Sequence, residues 1–329
     1  MMSRLRVSIV MCTYNGAAFL PAQLDSLLAQ NLCPDEIVVG DDGSTDATME
    51  ILERFRDRAR DLHIDVRLRR NPSNLGYVEN FSRGLREARG DLLFLCDQDD
   101  VWRPDKLARM VAVFEERPQL LLLHSDARLV DARGQSMGHS MFQALQLTAQ
   151  EKQAIHRGAA FEVVLRRSFV TGATAGLRRE LVELALPVAD GWIHDEWLAA
   201  VAAAFGELDF MDDMLIDYRQ HGANQIGARK RTLAAKWREL ALPRGRLLWG
   251  EAQRLQRLEL FLRQARFVDA SGWAGQIEHK RTHFEQRVAI GRSPRWQRFP
   301  LILREARQGC YRRYGTGLRS MLRDLLRHD

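Results

Sequence analysis

Short apolar runs alternate with amphipathic segments over the first 130 residues of the chain. Five of the runs have the length and composition of strands: Arg6 to Cys12, Glu36 to Gly40, Ile64 to Leu68, Asp91 to Cys96 and Leu120 to Ser125. The segments between them repeat apolar residues at helical spacing and predict helices over Ala18 to Gln30, Asp46 to Arg60 and Gly76 to Ala88, with another opening at Pro104. This alternation predicts an α/β fold with a mostly parallel sheet flanked by helices, in which ligands bind beyond the carboxyl ends of the strands.

The pattern changes twice in the rest of the chain. It weakens from Ala132 to Phe169 and returns with regular elements over Leu177 to Leu186, His194 to Phe205 and two short runs ending at Tyr218. After Gln225 the chain reads as long helical segments studded with arginine. We therefore expect a domain over residues 1–227 and a basic helical C-terminal region over residues 228–329.

Charge divides the chain at nearly the same point. Residues 1–228 carry a net charge of −9 and residues 229–329 a net charge of +15, which together give the +6 of the whole chain. In the basic region, arginines alternate with apolar residues at three- and four-residue spacing, from Trp296 to Leu326. This pattern predicts either a helix lying on an anionic membrane surface or a helix packed against the catalytic domain or a second subunit.

Composition excludes several classes of protein. The chain has 329 residues, of which 46% are hydrophobic and 28% charged, as in ordinary globular proteins. No run reaches the roughly 18 consecutive apolar residues of a membrane span, and no secretory signal is recognisable. The four cysteines, Cys12, Cys33, Cys96 and Cys310, form no CxxC pair, so we expect free thiols and a cytoplasmic location. The basic C-terminal region adds the expectation of peripheral attachment to the inner face of the membrane.

Carboxylates collect where two of the expected strands end. Asp41 and Asp42 follow the second strand, and Asp97, Asp99 and Asp100 follow the fourth. Carboxylates in one crevice repel each other unless a cation neutralises them. Mg²⁺ or Mn²⁺ takes one or two carboxylates and completes its coordination with water and substrate phosphates, so the pattern favours a metal-bound nucleotide diphosphate. An isolated acidic loop would be only a solvated turn, but two acidic strand ends favour the metal site.

Other nucleotide-binding folds do not match the spacing. The turn after the first strand reads Thr13-Tyr14-Asn15-Gly16 and lacks the GxGxxG of dinucleotide-binding proteins. A Walker A motif is also missing from the sequence. A phosphatase with an aspartyl nucleophile would place its DxD after the first strand and not after the fourth.

An ordered set of motifs resembles the inverting family 2 glycosyltransferases, which have the GT-A fold. The set comprises Val7 to Gly16 (VSIVMCTYNG), Asp35 to Asp46 (DEIVVGDDGSTD), Asn74-Leu75-Gly76, Asp97 to Asp100 (DQDD), Thr171-Gly172, His194 to Trp197 (HDEW) and Tyr218 to His221 (YRQH). The similarity is closest to bacterial rhamnosyltransferase-like enzymes of surface polysaccharide synthesis, such as that of lipopolysaccharide. It covers roughly residues 5–227.

The resemblance implies a set of residues that bind the nucleotide-sugar donor and its metal. Thr13 and Tyr14 would line the base pocket, Asp42 would bond the base, and Asp97 would lie near the ribose. Asp99 would hold Mg²⁺ or Mn²⁺, with His221 completing the metal shell or, like Arg219, meeting the diphosphate. The remaining motif positions implied to contact substrate are Asn15, Asn74, Gly172 and Trp197.

The resemblance also implies a catalytic base at Asp195. Inverting transfer needs a group that deprotonates the acceptor hydroxyl as it attacks the anomeric carbon. Asp195 opens a predicted helix, where a carboxylate is also a common capping residue. Family members often have an aromatic residue where this chain has Glu196, so Glu196 stays open as a second candidate for the base.

These features together predict a metal-dependent enzyme that moves a sugar, with dTDP-rhamnose as a candidate donor, to a glycan or lipid-linked acceptor. UDP and dTDP stay open as the nucleotide. The rival from another class is a catalytically silent adaptor that binds a nucleotide or carbohydrate with the same fold. The arginine-rich tail also raises nucleic-acid binding, but no recognisable nucleic-acid module accompanies it, and we expect no nucleic-acid partner.

Overall fold

Residues 4–221, 242–265 and 272–327 are described by the computed structural model of the protein. They divide into two compact units. The sheet unit contains residues 4–160, 169–188 and 193–221, and the helical unit contains residues 161–168, 189–192, 242–265 and 272–327. The boundary that we expected at Gly227 lies outside the described residues. The sequence pattern gave no sign that the short segments 161–168 and 189–192 group with the helical unit.

One nine-stranded mixed sheet forms the centre of the sheet unit. Its strands are β1 (Val7–Thr13), β2 (Glu36–Asp41), β3 (Asp65–Arg70), β4 (Leu92–Cys96), β5 (Val101–Trp102), β6 (Leu120–Asp131), β7 (Ser136–Ser140), β8 (Ala175–Arg178) and β9 (Glu207–Gln220). The order is β3-β2-β1-β4-β8-β6-β9-β5, with β7 on β6. Strands β1 to β4 are parallel, while β8 runs antiparallel between β4 and β6. All five expected strands are present, which confirms the mostly parallel sheet.

The helices between residues 4 and 221 are α1 (Leu20–Leu28), α2 (Thr48–Arg60), α3 (Tyr77–Glu87), α4 (Lys106–Glu116), α5 (Met141–Leu145), α6 (Ala149–His156), α7 (Ala160–Arg166), α8 (Arg179–Ala185) and α9 (His194–Phe205). Helices α1 to α4, α8 and α9 lie where the apolar spacing indicated, and residues 161–166 of α7 group with the helical unit. The segment with weak periodicity contains β7 and α5 to α7. Helices α5 and α6 open with capping boxes, Ser140 with Gln143 and Thr148 with Glu151, a local signal that the apolar pattern did not carry.

The parallel strands end together at one edge of the sheet. Every residue of β2 and β4 is buried, as expected for strands covered on both faces. Thr13 at the end of β1 pairs in register with Asp41 at the end of β2, and Met11 pairs with Cys96 at the end of β4. The loops that begin at Tyr14, Asp42 and Asp97 therefore leave the sheet side by side.

The helical unit contains α10 (Gly245–Gln264), α11 (Trp273–Arg292), α12 (Arg295–Arg307), α13 (Cys310–Arg313) and α14 (Leu318–Leu326). Ile290, Ile302 and Tyr311 are buried at its centre, with Leu301, Ala306, Met321 and Leu325 packed against them. The Arg287 guanidinium and the Tyr311 hydroxyl both donate to the fully buried Asp324 carboxylate. Within the described residues, none of the helices combines the length and apolarity that a membrane crossing requires.

Candidate active site

The loops after β1 and β2 are tied together by side chains at their starts. Asn15 adopts a positive φ of 47°, a conformation that asparagine tolerates better than most residues. Its side-chain oxygen accepts the Thr45 backbone N–H at 2.8 Å, and its own N–H donates to the Ser44 hydroxyl at 2.8 Å. The Thr13 hydroxyl is buried and donates to Asp41 at 3.0 Å. The side chains of Thr13 and Asn15 therefore hold the loops in place, and the expected contact of the Thr13 side chain with a base is not supported.

Gln98 holds the peptide of Tyr14, a role that sequence reasoning missed. The Gln98 amide oxygen accepts the Tyr14 N–H at 2.9 Å, and its amide nitrogen donates to the Tyr14 carbonyl at 3.1 Å. The Tyr14 ring itself is 44% exposed at the carboxyl end of β1. Gln98 lies between two aspartates of DQDD, and its amide offers the acceptor and the donor that bind the N–H and the carbonyl of one residue.

Asp42 organises the loop that precedes α3. One carboxylate oxygen accepts the Leu75 N–H at 2.8 Å and the Asn71 side-chain amide at 2.9 Å, and the other accepts the Gly76 N–H at 2.9 Å. Asn74 caps the same turn through a 2.9 Å bond from the Gly76 N–H, and Gly76 has the positive φ of 83° that glycine adopts without strain. Asp42 is thus mainly a loop organiser, with one lone pair left on the oxygen that accepts a single bond.

The acidic loop after β4 concentrates negative charge. Burial, followed by the nearby Asp99 and Asp195 carboxylates, raises the pKa of Asp97 to about 7. Burial, followed by the charges of Asp99 and Asp97, raises the pKa of Asp100 well above its usual range, and one Asp100 oxygen is buried without a hydrogen-bond partner among the described residues. Such pKa values are those of carboxylates whose mutual repulsion lacks a full countercharge.

His221 lies directly against Asp99. Its Nε2 is 2.7 Å from the Asp99 carboxylate, and its ring stacks on Phe19 at a centroid distance of 4.5 Å. The two side chains are 122 positions apart in sequence, and the parallel pairing of β9 with β6 brings the end of β9 to this edge of the sheet. The two residues that we expected to share a metal ion are therefore adjacent.

Arg219 holds the acidic loop through hydrogen bonds from both its side chain and its backbone. It is buried, its Nε donates to the Asp99 carbonyl at 2.8 Å, and one of its terminal nitrogens donates to the Ala132 carbonyl at 3.2 Å. Its backbone N–H donates to Asp100 at 3.0 Å. These contacts show that Arg219 shapes the acidic loop. The sequence predicted only a contact of Arg219 with the substrate diphosphate.

Two further buried residues near the carboxylates escaped the sequence analysis. Lys106 on α4 donates to the Ala173 carbonyl at 2.9 Å, and burial lowers the pKa of its ammonium to about 7. Burial, together with the charges of Asp97 and Asp100, raises the pKa of the Tyr218 hydroxyl. Lys106 looked like an ordinary residue in the first turn of a surface helix, and only the tertiary structure brings its charge under the acidic loop.

Asp195 occupies the first turn of α9 and faces the same crevice. Its two carboxylate oxygens accept the Gly172 N–H at 3.0 Å and the Glu196 N–H at 2.7 Å, which fixes the orientation of the side chain. It is only partly buried, and its charge acts on both Asp97 and Tyr77. A Cβ at Gly172 would approach the His194 ring to 3.2 Å, so a side chain at this position would fit tightly against α9.

Trp197 and His194 fix the start of α9 and are not exposed to a ligand. Trp197 is completely buried, and its indole N–H donates to the Ala185 carbonyl at 2.7 Å. The expected substrate contact of Trp197 is therefore wrong for this conformation. His194 is buried and stacks on Phe81, and burial lowers its imidazole pKa.

The strand ends thus bring Tyr14, Asp42, Asp97, Asp99 and His221 to one edge of the sheet, with Asp195 within electrostatic reach of Asp97. The carboxylate–imidazole pair and the second carboxylate offer ligands for a cation and, through it, for a diphosphate. The exposed aromatic ring offers a face for a nucleotide base. Thr13, Asn15, Asn74, Arg219 and Trp197 instead support this arrangement through the contacts described above.

Comparisons with known proteins agree with this arrangement. The profile of glycosyl transferase family 2 matches residues 8–184, more than half of the chain. An uncharacterized glycosyltransferase of Nostoc sp. is 28% identical over 67% of this chain and 66% of its own length. The putative glycosyltransferase EpsH of Bacillus subtilis is 24% identical over 65% of this chain and 55% of its own length. The matches thus span less than two thirds of the length of these relatives.

Solved structures show the same fold at low sequence identity. S. aureus TarS 1-349 in complex with UDP-GlcNAc superposes with a TM-score of 0.53 at 18% identity, over 94% of this chain and 89% of that one. The mannosyltransferase PcManGT of Pyrobaculum calidifontis, in complex with GDP-Man and Mn²⁺, gives a TM-score of 0.54 at 18% identity, over 98% of this chain and 86% of that one. The chain belongs to glycosyl transferase family 2 and has the GT-A fold of nucleotide-sugar transferases.

Proposed function

We propose that the protein is a metal-dependent inverting glycosyltransferase that moves a sugar from a nucleotide-diphosphate sugar to a glycan or lipid-linked acceptor of cell-surface polysaccharide synthesis. The observation that carries the proposal is the contact of His221 with Asp99 at 2.7 Å, beside Asp97 and in the crevice that Asp195 also faces. We propose dTDP-rhamnose as the first donor to test, because the motifs are closest to those of rhamnosyltransferase-like enzymes.

The residues at the acidic loop fit a divalent cation. One Asp100 oxygen is buried without a partner, and the raised pKa of Asp97 reports repulsion that a cation would relieve. Carboxylate oxygens suit Mg²⁺ and Mn²⁺, and the imidazole of His221 is a better ligand for Mn²⁺ than for Mg²⁺. Asp99 and His221 would hold the ion, whose charge stabilises the departing diphosphate when it is bound.

The donor nucleotide would lie along the ends of β1, β2 and β4. The exposed Tyr14 ring offers a face for the base, and Gln98 keeps the peptide below it fixed. The remaining lone pair of Asp42 suits an imide N–H of the nucleotide base. Asp97 lies at the start of the loop that follows β4. Two structural neighbours bind UDP-GlcNAc and GDP-Man, which supports a nucleotide-sugar donor for this chain.

Asp195 is the proposed catalytic base. Its oxygens are held by two backbone N–H groups, so the remaining lone pairs have a defined direction. The N-terminus of α9 stabilises the negative charge that a base needs before it accepts a proton. Deprotonation of the acceptor hydroxyl by Asp195 accompanies attack on the anomeric carbon, and a single displacement inverts the configuration at that carbon.

A screen of nucleotide sugars with divalent cations tests the enzyme proposal. We expect release of nucleoside diphosphate with one donor in the presence of Mn²⁺ or Mg²⁺, loss of release in excess chelator, and loss in Asp99→Ala. Asp105→Ala, which removes a partly exposed carboxylate at the start of α4, is the matched control and should retain release. Binding of a nucleotide sugar without turnover under all conditions would favour the adaptor instead.

We also propose that the helical unit attaches the protein to the cytoplasmic face of a membrane. The apolar residues that we assigned to an interfacial helix divide into two groups. Ile302, Leu301, Met321 and Leu325 pack within the helical unit itself. Leu318, Leu322 and Leu326, at four-residue spacing on α14, are 76%, 47% and 44% exposed, and Trp296 and Phe299 on α12 are 77% and 58% exposed.

Exposed arginines accompany these apolar side chains. Arg292, Arg295 and Arg304 lie on or next to α12 and are exposed, as are Arg312 and Arg313 on α13. Each basic residue near an anionic bilayer surface contributes about 1 kcal/mol of attraction, and a buried apolar side chain adds to it. An anionic lipid surface therefore fits both the exposed arginines and the exposed apolar side chains of α12 and α14.

A further inference from the structure

A second group of metal-ligating side chains lies in the helical unit and includes no residue of the proposed active site. His283 on α11, Glu305 on α12 and Cys310 at the start of α13 are all buried, and one ligand atom of each lies within 4.8 Å of the others. His283 Nδ1 is 2.6 Å from the Glu305 carboxylate. His279 adds a fourth group, because its Nε2 lies 3.5 Å from the Cys310 sulfur.

Local structure explains why these four residues meet. His279 and His283 are four positions apart on α11 and therefore share one face of the helix. Gly309, with a positive φ of 76°, permits the tight turn between α12 and α13 that returns Cys310 towards Glu305. Two ligands thus come from α11, one from α12 and one from the start of α13.

We propose that His279, His283, Glu305 and Cys310 bind a structural Zn²⁺ ion. A mixed set of sulfur, nitrogen and oxygen ligands is typical of tetrahedral zinc. Bond lengths of about 2.3 Å to sulfur and about 2.0 Å to nitrogen place these two ligand atoms about 3.5 Å apart at the tetrahedral angle, which is the separation of His279 and Cys310. A nitrogen and an oxygen ligand would be about 3.3 Å apart, so zinc binding would move His283 Nδ1 and the Glu305 oxygen about 0.7 Å further apart than their present 2.6 Å.

The cluster combines burial with access. The His283 side chain is 0% exposed, so an ion bound to its imidazole would be shielded from water. His279 is exposed, which gives the ion a route of entry.

Cobalt substitution separates this site from the proposed catalytic metal site. The full-length protein, stripped with a chelator, should bind one equivalent of Co²⁺ with a near-ultraviolet thiolate-to-cobalt charge-transfer band, which Zn²⁺ then abolishes. Asp99 and His221 offer no thiolate and cannot produce this band. Cys310→Ser should lose the band, whereas Cys33→Ser, which changes an exposed thiol, should keep it.

Two further variants guard against a folding defect. His279→Ala changes an exposed side chain, and circular dichroism should show that the variant stays folded. Losing only an outer partner of a metal ligand typically lowers affinity about tenfold. We expect the affinity of His279→Ala for Zn²⁺ to fall by more than that. Glu305→Gln should weaken zinc in the same way. The proposal is overturned if the folded wild-type protein gives no charge-transfer band at saturating Co²⁺, or if Cys310→Ser and folded His279→Ala bind zinc as tightly as the wild type.

Discussion

The clamp that Gln98 forms on the Tyr14 peptide is a residue-scale feature with a direct functional consequence. Both bonds of the Gln98 amide go to the backbone of one residue, the N–H and the carbonyl of Tyr14, at 2.9 and 3.1 Å. Tyr14 carries the exposed ring against which we place the donor base, so the clamp fixes that ring before the nucleotide arrives. A preorganised site avoids the entropy cost of ordering its residues on binding.

Replacing Gln98 with leucine keeps the size of the side chain and removes both bonds. At about 1 kcal/mol for each bond, we expect nucleoside diphosphate to bind roughly ten- to thirtyfold more weakly, as measured by calorimetry in the presence of Mn²⁺. Gln153→Leu changes an exposed glutamine on α6 and serves as the control. Equal nucleotide affinity in Gln98→Leu and the wild type would show that the clamp does not position the base contact.

Sequence motifs identified the chemistry of the site better than the role of each side chain. Asp99 and His221 are adjacent because both follow strand ends that the sheet brings together, and the charge of Asp195 reaches Asp97 in the same acidic loop. Thr13 and Trp197 belong to the same motifs but are buried supports. A motif records that a position matters and does not distinguish a side chain that touches a ligand from one that holds its neighbours, because both depend on tertiary contacts.

Helix α9 shows this distinction at the scale of an element. It begins and ends at the residues that the apolar pattern indicated, His194 and Phe205. Its first turn carries Asp195 on the open side and Trp197 on the buried side. The indole bond to the Ala185 carbonyl anchors the turn, so the direction of Asp195 depends on a residue that no substrate reaches.

Trp197→Phe removes this anchor and leaves the Ala185 carbonyl without its donor. We expect a loss of about 1–3 kcal/mol in the free energy of unfolding, with a further cost from the smaller ring, measured by urea denaturation. The affinity for nucleoside diphosphate should stay within twofold of the wild type, because Trp197 is not exposed in the crevice. Weaker nucleotide binding at unchanged stability would restore Trp197 to the substrate site.

The elements of the first 130 residues were predictable because strand and helix periods differ clearly there. Between Ala132 and Phe169 the helices are short, from five to eight residues, so an apolar repeat has no room to develop. Their capping boxes were the available signal. The antiparallel β8 between β4 and β6 was beyond local reasoning, since strand order depends on long-range pairing.

Helix α14 carries the element-scale test of membrane attachment. We expect the wild-type protein to co-sediment with vesicles rich in phosphatidylglycerol at low salt and not with neutral phosphatidylcholine vesicles, because the basic region requires anionic lipid. The double variant Leu318→Gln and Leu322→Gln should reduce co-sedimentation, since both side chains are exposed and available to a bilayer. Leu62→Gln with Leu260→Gln removes two comparably exposed leucines elsewhere and should bind like the wild type. If the wild-type protein does not bind anionic vesicles, the exposed leucines of α14 would instead be a contact surface for a protein partner.

The whole molecule separates its charges between two units. The sheet unit holds an acidic crevice whose carboxylates favour a cation and, through it, an anionic donor. The helical unit holds the basic surface and the proposed zinc ligands. A lipid-linked acceptor at an anionic membrane would then be presented to an enzyme already held at that surface, which increases its local concentration without any new contact.

The central claim is that Asp195 is the base of an inverting transfer in the crevice formed by the strand ends. The most direct measurement compares the turnover number of Asp195→Asn with that of Glu196→Gln, using the donor found in the screen, while calorimetry follows donor binding. Asparagine keeps the shape of the side chain and one acceptor oxygen but removes its basicity. We predict donor binding close to that of the wild type and a fall in turnover of about a hundredfold or more in Asp195→Asn, with Glu196→Gln near the wild type. Near-normal turnover in Asp195→Asn together with an inactive Glu196→Gln would contradict the account and move the base to Glu196.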